Sequence, residues 1–298
     1  MQKLIEKASV LIEALPYIKD FFGKTIVIKY GGSAMVDKKL KDLFALDIVL
    51  MKYIGMNPVI VHGGGRQIEE VLKKFDKKTQ FINGLRVTDS ETMEIVEMVL
   101  VGKINREIVH LINQHGGRAV GLSGKDGQLI KAKKMYLETI NGEEKVDLGL
   151  VGRVEQINPE IVEILDRGNF IPVIAPIGTG DSGQAYNINA DDAACGIAVG
   201  LKAEKLVFLT DVEGIKADDG SLITNLDEEK VQKLIEDQTV TGGMLPKVKA
   251  GLKALEDGVK KVHIIDGRVE HTLLLEIFTK EGIGTEIVRH IDAHHNPF

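Results

Sequence analysis

Residues Thr25 to Ser33 read TIVIKYGGS, and this stretch decides the fold class. Thr25, Ile26, Val27 and Ile28 are β-branched, the composition of a buried strand, and the run ends at Lys29 beside Gly31 and Gly32. Asp37 is placed to cap a helix over KKLKDLFALDIVLMKY. A lysine at the carboxyl end of a strand, next to glycines with unengaged N–H groups, offers charge and donors to phosphate oxygens. Here the lysine precedes the glycines, so this is not the GxxxxGK[ST] loop. A second unit of the same kind follows. Pro58 to Val61 is its strand, His62-Gly63-Gly64-Gly65 its turn, and a helix runs from about Arg66 to Phe75. Two successive units imply parallel strands with right-handed crossovers. Both helix N-termini then lie at one sheet edge, where open α/β folds bind ligands. A tight turn needs a single glycine, whereas three in a row let a ligand approach the backbone closely.

Upstream, residues 2–20 have a helical apolar face (Leu4, Ile5, Ala8, Leu11, Ile12, Leu15), with a kink or restart at Pro16. This helix has no strand partner, so it covers either its own chain's core or another subunit. A chain of 298 residues can form one large α/β domain or two lobes. Its 44% hydrophobic and 28% charged content is ordinary for a soluble globular protein. No apolar run approaches the roughly 20 residues of a membrane span, and the charged N-terminus is unlike a secretory signal. The lone cysteine, Cys195, excludes an internal disulfide and fits a reducing, cytoplasmic setting. A net charge of −6 without a basic, aromatic-interleaved patch argues against nucleic acid as partner.

Downstream, Asn83-Gly84 within QFINGLRVT is a hairpin signal, with Arg86 just beyond it. One long helix is expected over 89–114. Between residues 118 and 157, Asp126-Gly127 and Asn141-Gly142 point to inserted β-hairpins. A helix opens at Asn158-Pro159, and a buried strand spans 170–175. Asn187, Asn189 and Asp191 alternate across AYNINAD, a polar cluster suited to a ligand or to orienting lysines. A strand follows over 205–209, with Thr210 to Gly214 as its terminal loop, and Asp227 can cap the next helix. Then Gly242-Gly243-Met244 leads into a helix with Lys247 in its first turn. A cation there opposes the helix dipole, which favours a functional reading. His110 and His115 read as structural, and the terminal His290, His294 and His295 lack the spacing of a metal site.

Several motifs, in order, resemble N-acetylglutamate kinases of the amino acid kinase family: IKYGGSAM, VIVHGGGRQI, NGLRVTD, EMVLVGKIN, GGRAVGLSGKDG, YNINADDAA, LTDVEGI, TGGMLPKV and LLLEIFTKEGIGT. The resemblance runs from about residue 10 to 288. It implies an α/β fold, a three-layer αβα sandwich around a mainly parallel sheet, in two lobes plus an N-terminal helix. Residues 1–20 would be that helix, 21–178 the acetylglutamate lobe with dimer contacts, and 179–298 the MgATP lobe. The implied reaction is phosphorylation of the side-chain carboxylate of N-acetyl-L-glutamate by ATP with Mg²⁺, the second step of arginine synthesis by the acetylated route. Lys29 and Lys247 match the family's transition-state lysines, and Asp191 the residue that orients them. Gly64, Gly65, Arg86, Asn187 and Asn189 match positions that hold the amino-acid substrate. Gly31, Gly32, Thr210, Asp211, Gly214, Gly242, Gly243 and Met244 fall where the family binds nucleotide. No metal-ligating residue of the protein itself is implied.

The N-terminal helix, with LPYIKDF, is similar to that of the arginine-inhibited hexamers in which such helices interlace dimers. Tyr17, His263, Glu276 and Gly282 match their arginine site, and a nitrogen-signalling protein is a candidate partner. A carbamate or aspartate kinase of the same family and a non-catalytic arginine sensor are rival readings. Arg86 and Asn187 disfavour the first, and retention of Lys29, Lys247 and Asp191 disfavours the second.

Overall fold

In the computed structural model, which describes residues 1–138, 145–279 and 282–290, two short helices lead into the sheet. α1 (Gln2–Glu13) and α2 (Leu15–Phe21) meet at Ala14, and Pro16 sits in the first turn of α2, where a missing N–H costs no hydrogen bond. Ile5, Leu11, Ile12 and Leu15 are all exposed, so the apolar stripe does not cover the chain's own core.

β1 (Thr25–Tyr30) is followed by a 3₁₀ turn, Gly32–Met35, and then α3 (Lys38–Tyr53). The α3 N-terminus is capped as expected, with Leu40 N–H donating to Asp37 Oδ1 at 2.9 Å. β2 (Asn57–His62) and α4 (Gly65–Lys74) form the second unit. β3 (Phe81–Ile82) and β4 (Leu85–Arg86) make the hairpin, with Asn83 and Gly84 both at positive φ. The expected long helix is present but composite: α5 (Ser90–Glu97), a π-helix (Met98–Asn105) and α6 (Arg106–Gln114).

β5 (Ala119–Ser123) corrects one expectation. It is not a hairpin strand; it pairs in parallel with β8 at the edge of the main sheet. The Asp126-Gly127 turn instead hands the chain to β6 (Ile130–Glu138) and β7 (Lys145–Ile157). A tight turn says where the chain reverses; the free edge of β8 decides which strand fills it. β6 and β7 do form an antiparallel hairpin, and its expected Asn141-Gly142 turn lies outside the described residues. After α7 (Glu160–Arg167) and β8 (Ile171–Ala175), β9 (Ile177–Thr179) and β10 (Ala185–Ile188) close a small barrel with β6 and β7. The remainder is α8 (Ala190–Gly200), β11 (Lys205–Thr210), β12 (Asn225–Asp227), α9 (Glu228–Glu236), α10 (Met244–Glu256), β13 (Lys261–Asp266), α11 (Thr272–Phe278) and β14 (Thr285–Val288).

The main sheet has the order β12-β14-β13-β11-β1-β2-β8-β5. All pairings are parallel except β13 with β14. Side-chain alternation divides β1 between two apolar layers. Ile26 and Ile28 pack with Phe44 and Ile48 of α3, while Val27 packs with Ala194 and Ile197 of α8 and Val248 of α10. The result is the three-layer sandwich. Strand 1 lies at its centre, β2 on one side and β11 on the other. Among the described residues no helix is long and apolar enough to cross a membrane.

Candidate active site

β1 delivers Lys29 to the carboxyl edge of the sheet, and α8 presents Asp191 from its first turn. That turn is fixed by Asn189, whose Oδ1 accepts from Asp191 N–H at 2.8 Å. α10 brings Lys247. Lys29 Nζ lies 3.0 Å from Asp191 Oδ1 and Lys247 Nζ 2.5 Å from Oδ2. Burial alone would raise the Asp191 carboxyl, but the ammoniums of Lys29 and Lys247 outweigh it and hold the group below the usual range. Three residues distant in the chain thus form one +1 centre.

A cleft of about 300 Å³ adjoins it, lined by Lys29, Gly31, Gly32, Gly63 to Gly65, Arg86, Asn187, Asn189 and Asp191. Arg86 is 7% exposed, which is unusual for a guanidinium. Its Nη2 donates to Gly65 O at 3.0 Å and its plane lies 4.6 Å from the Phe81 ring centre. Its Nη1 is buried with no hydrogen-bond partner among the described residues. Gly65 O, the Phe81 ring and the charge of Glu69 compensate this buried cation only in part, and the donor left over favours an anionic ligand. Asn187 Nδ2 donates to Thr88 Oγ1 at 3.3 Å, and its carbonyl remains for the cleft. Phe81 and Thr88 carry no signal in the sequence beyond flanking the NGLR turn.

The remaining nucleotide candidates divide. Gly32 has φ +70°, and a Cβ there would fall 2.5 Å from Asp211 Oδ1. That oxygen accepts from Ser33 N–H at 2.6 Å, so Asp211 ties the loop after β11 to the turn after β1. Thr210 donates internally, to Val212 O at 2.7 Å, and Gly214 packs against Thr285. Gly242 and Gly243 border open space ahead of Lys247, while Met244 rests on the apolar layer under α10. None of these residues from 210 to 244 lines the cleft beside Arg86.

A second charged cluster lies at the opposite edge of the sheet. His263 Nδ1 is 2.6 Å from Glu276 Oε1; His263 Nε2 is 3.2 Å from Lys205 Nζ and 3.3 Å from Glu286 Oε2. Glu276 Oε2 also accepts from Ile283 N–H at 2.8 Å, and Gly282 packs against that carboxylate. Burial lowers His263 and pushes the Lys205 ammonium down to about 8. Lys205 Nζ sits 4.7 Å from the Phe21 ring centre, and Tyr17 meets Phe278 edge-on at 6.4 Å. All four candidates (Tyr17, His263, Glu276, Gly282) therefore gather where α2 meets α11. Lys205, Glu286 and Phe21 join them without a sequence signal, because the pairing of β11, β13 and β14 brings the first two and the packing of α2 brings the third.

The profile of the amino acid kinase family matches residues 24–266, a span that holds Lys29, Arg86, Asp191 and Lys247. The chain belongs to the amino acid kinase family. Among its relatives, an acetylglutamate kinase of Syntrophobacter fumaroxidans is 58% identical over 96% of this chain and 98% of its own. Another from Geobacter sp. strain M21 is also 58% identical, over 96% and 99%. Among solved amino acid kinase folds, an N-acetylglutamate synthase from Neisseria gonorrhoeae, complexed with coenzyme A and N-acetyl-glutamate, superposes with a TM-score of 0.82 at 27% identity. The match covers 96% of this chain but only 64% of the synthase. A Giardia lamblia carbamate kinase bound to AMP-PNP shares the fold, with a TM-score of 0.63 at 18% identity over 89% of this chain and 98% of its own.

Proposed function

We propose that this protein is an acetylglutamate kinase, transferring the γ-phosphoryl group of ATP to the side-chain carboxylate of N-acetyl-L-glutamate. The observation that carries the reading is the Lys29–Asp191–Lys247 centre beside the buried, half-unpaired Arg86. A carboxylate nucleophile is already ionised at neutral pH, so no general base is needed. Its oxygen attacks the γ-phosphorus while the bond to the bridging oxygen breaks and ADP leaves with the electron pair. Catalysis of this kind is positioning plus charge stabilisation at the equatorial oxygens. Lys29 and Lys247 supply the charge. Asp191, with an ammonium on each oxygen, is an orienting group rather than a proton acceptor. Arg86 and Asn187 hold the acetylglutamate backbone groups, the N–H groups of Gly64 and Gly65 face the reacting carboxylate, and Asn189 supports the cluster as the α8 cap.

The glycine turn before Lys247 and the loop at Thr210 to Gly214 flank the nucleotide. In this arrangement residues 21–178 supply most of the acetylglutamate side, joined by Asn187 and Asn189, and the rest of 179–298 serves MgATP. Asp191 and Asp211 are both engaged by protein donors. Mg²⁺ would enter with ATP as part of the substrate and would supply neutralisation of phosphate charge. Hydroxamate formation from acetylglutamate, MgATP and hydroxylamine tests the reading; carbamate or aspartate as the preferred acceptor would overturn it.

The cluster at His263 and Glu276 supports a second role, arginine as feedback inhibitor. Glu276 and Glu286 are carboxylates suited to a guanidinium, and α2 borders them through Phe21 and Tyr17. The exposed stripe of α1 supports interlacing of dimers into a hexamer. Both fit a cytoplasmic enzyme of arginine biosynthesis.

A further inference from the structure

We infer that His62 and Asn105 are positioning residues for phosphoryl transfer, a buried relay that aims the Gly63–Gly65 turn at the acceptor carboxylate. The inference rests on the acetylglutamate kinase reading and concerns the aim of the turn rather than its contacts.

Both side chains are fully buried, at 0% exposure. Asn105 closes the π-helix, and its Nδ2 lies 2.8 Å from Val173 O on β8, 3.3 Å from Leu122 O on β5 and 3.2 Å from His62 Nε2. His62 ends β2, with Nδ1 2.9 Å from Gly63 O. A carbonyl only accepts, so Nδ1 carries the hydrogen and Nε2 is left as an acceptor facing Asn105, whose two Nδ2 hydrogens are shared among Val173 O, Leu122 O and His62 Nε2. Gly63 N–H in turn donates to Tyr30 O at 2.8 Å. Both polar groups of the Gly63 residue are therefore tied, one to β1 and the other through His62 and Asn105 to β5 and β8. The next two N–H groups, of Gly64 and Gly65, meet no protein acceptor among the described residues, and their direction follows from how Gly63 is held.

The π-helix explains how Asn105 reaches this place. Its i→i+5 hydrogen bonds bring residues five apart nearly into line, whereas an α-helix at 3.6 residues per turn would separate Leu100 and Asn105 by about 140°. Leu100 and Ile104 wall the same turn. A Cβ on Gly64 would lie 2.4 Å from Ile104 Cδ1 and 2.7 Å from Leu100 Cδ2. One irregular helical segment thus supplies both the wall and the polar tie for the glycine turn, and π-segments are frequent at functional sites.

The test is steady-state kinetics of the full-length protein with acetylglutamate and MgATP, read by coupled ADP release. Asn105→Ala and His62→Leu should each lower kcat/KM for acetylglutamate by about 30- to 100-fold, the scale of a small misplacement of reacting groups. KM for MgATP should stay within about twofold, since this tie does not reach the nucleotide side. His62→Asn, which keeps a donor near Gly63 O, and His62→Gln, which keeps only the acceptor for Asn105, each break the relay at one link, so each should recover only part of the loss. Folded variants with wild-type kcat and acetylglutamate KM would overturn the inference, as would KM for MgATP rising in step. Should the variants fail to fold, ¹⁵N-histidine spectra of the wild type decide. His62 should show the Nδ1–H tautomer and shift on saturation with acetylglutamate but not with MgADP, and the opposite tautomer or no shift overturns the relay. Wild-type protein inert toward acetylglutamate in the same assay would overturn the functional reading instead, and the inference with it.

Discussion

Lys29 and Lys247 hold opposite oxygens of one carboxylate, Asp191, at 3.0 and 2.5 Å. Each ammonium is thereby fixed without being neutralised alone, and the centre keeps a net positive charge, which the proposed mechanism directs at the migrating phosphoryl group. Replacing either lysine by alanine should lower kcat by about 10²–10³, the cost of one well-placed donor at a developing charge. KM for acetylglutamate should change less. Asp191→Asn should also lower kcat, because two like charges lose their shared counterion. Normal turnover by Lys247→Ala, measured by ADP release, would remove the mechanism.

Arg86 invites the opposite kinetic signature. Its unpaired Nη1 is matched to a ligand carboxylate, and a charge-assisted hydrogen bond contributes about 1.5–3 kcal/mol. Arg86→Ala should therefore raise KM for acetylglutamate by roughly 10- to 150-fold, with a smaller effect on kcat. Arg86→Lys should not rescue it, since an ammonium cannot donate to Gly65 O and the ligand in the same fork. A lowered kcat at unchanged KM would place Arg86 elsewhere in the reaction.

Removal of residues 1–20 separates catalysis from regulation. The truncated chain should retain its activity, sediment as a smaller oligomer and lose inhibition by arginine. Glu276→Ala in the full chain should abolish inhibition while leaving the oligomer intact. Arginine inhibition that survives both changes would end the regulatory reading.

Two buried groups oppose each other across the mildly acidic range. Burial raises Asp47 from 3.8 to about 6, with His271 at 2.7 Å pulling partly back. Its contribution to stability is fully present below about pH 4 and is lost as pH rises through 6. Burial lowers His62 from 6.5 to about 4, so its contribution is fully present above about pH 6.5 and is lost as pH falls through 4. Each amounts to roughly 3 kcal/mol, and their slopes have opposite sign over the same interval. Thermal unfolding should therefore show Asp47→Asn losing stability toward acid more steeply than the wild type, and His62→Asn less steeply. Curves that run parallel to the wild type from pH 4 to 7 would refute both assignments.

What was legible in the sequence was local. The TIVIK strand, the Asp37 and Asp227 caps, the Asn83-Gly84 hairpin and the glycine turns each announce themselves within a few residues, and each is present. Lys247 stood out because a cation in a helix's first turn opposes the local field. What escaped notice depends on distant pairing. The place of β5 is settled by the free edge of β8, some fifty residues later. The π-helix was invisible because an apolar stripe of that length fits a regular helix equally well. Asn105 gave no sign of its partners, since Leu122, Val173 and His62 converge on it only once three strands have assembled.

The pairing of β1 with β11, Lys29 opposite Phe208, has a mechanical meaning. β1, which carries Lys29, and β11, which ends at Thr210, are neighbouring slats of one pleated surface, laced by backbone hydrogen bonds, so relative motion of the two ends is limited to shear or coiling of that surface. Free rotation about a tether is excluded for two strands laced in this way.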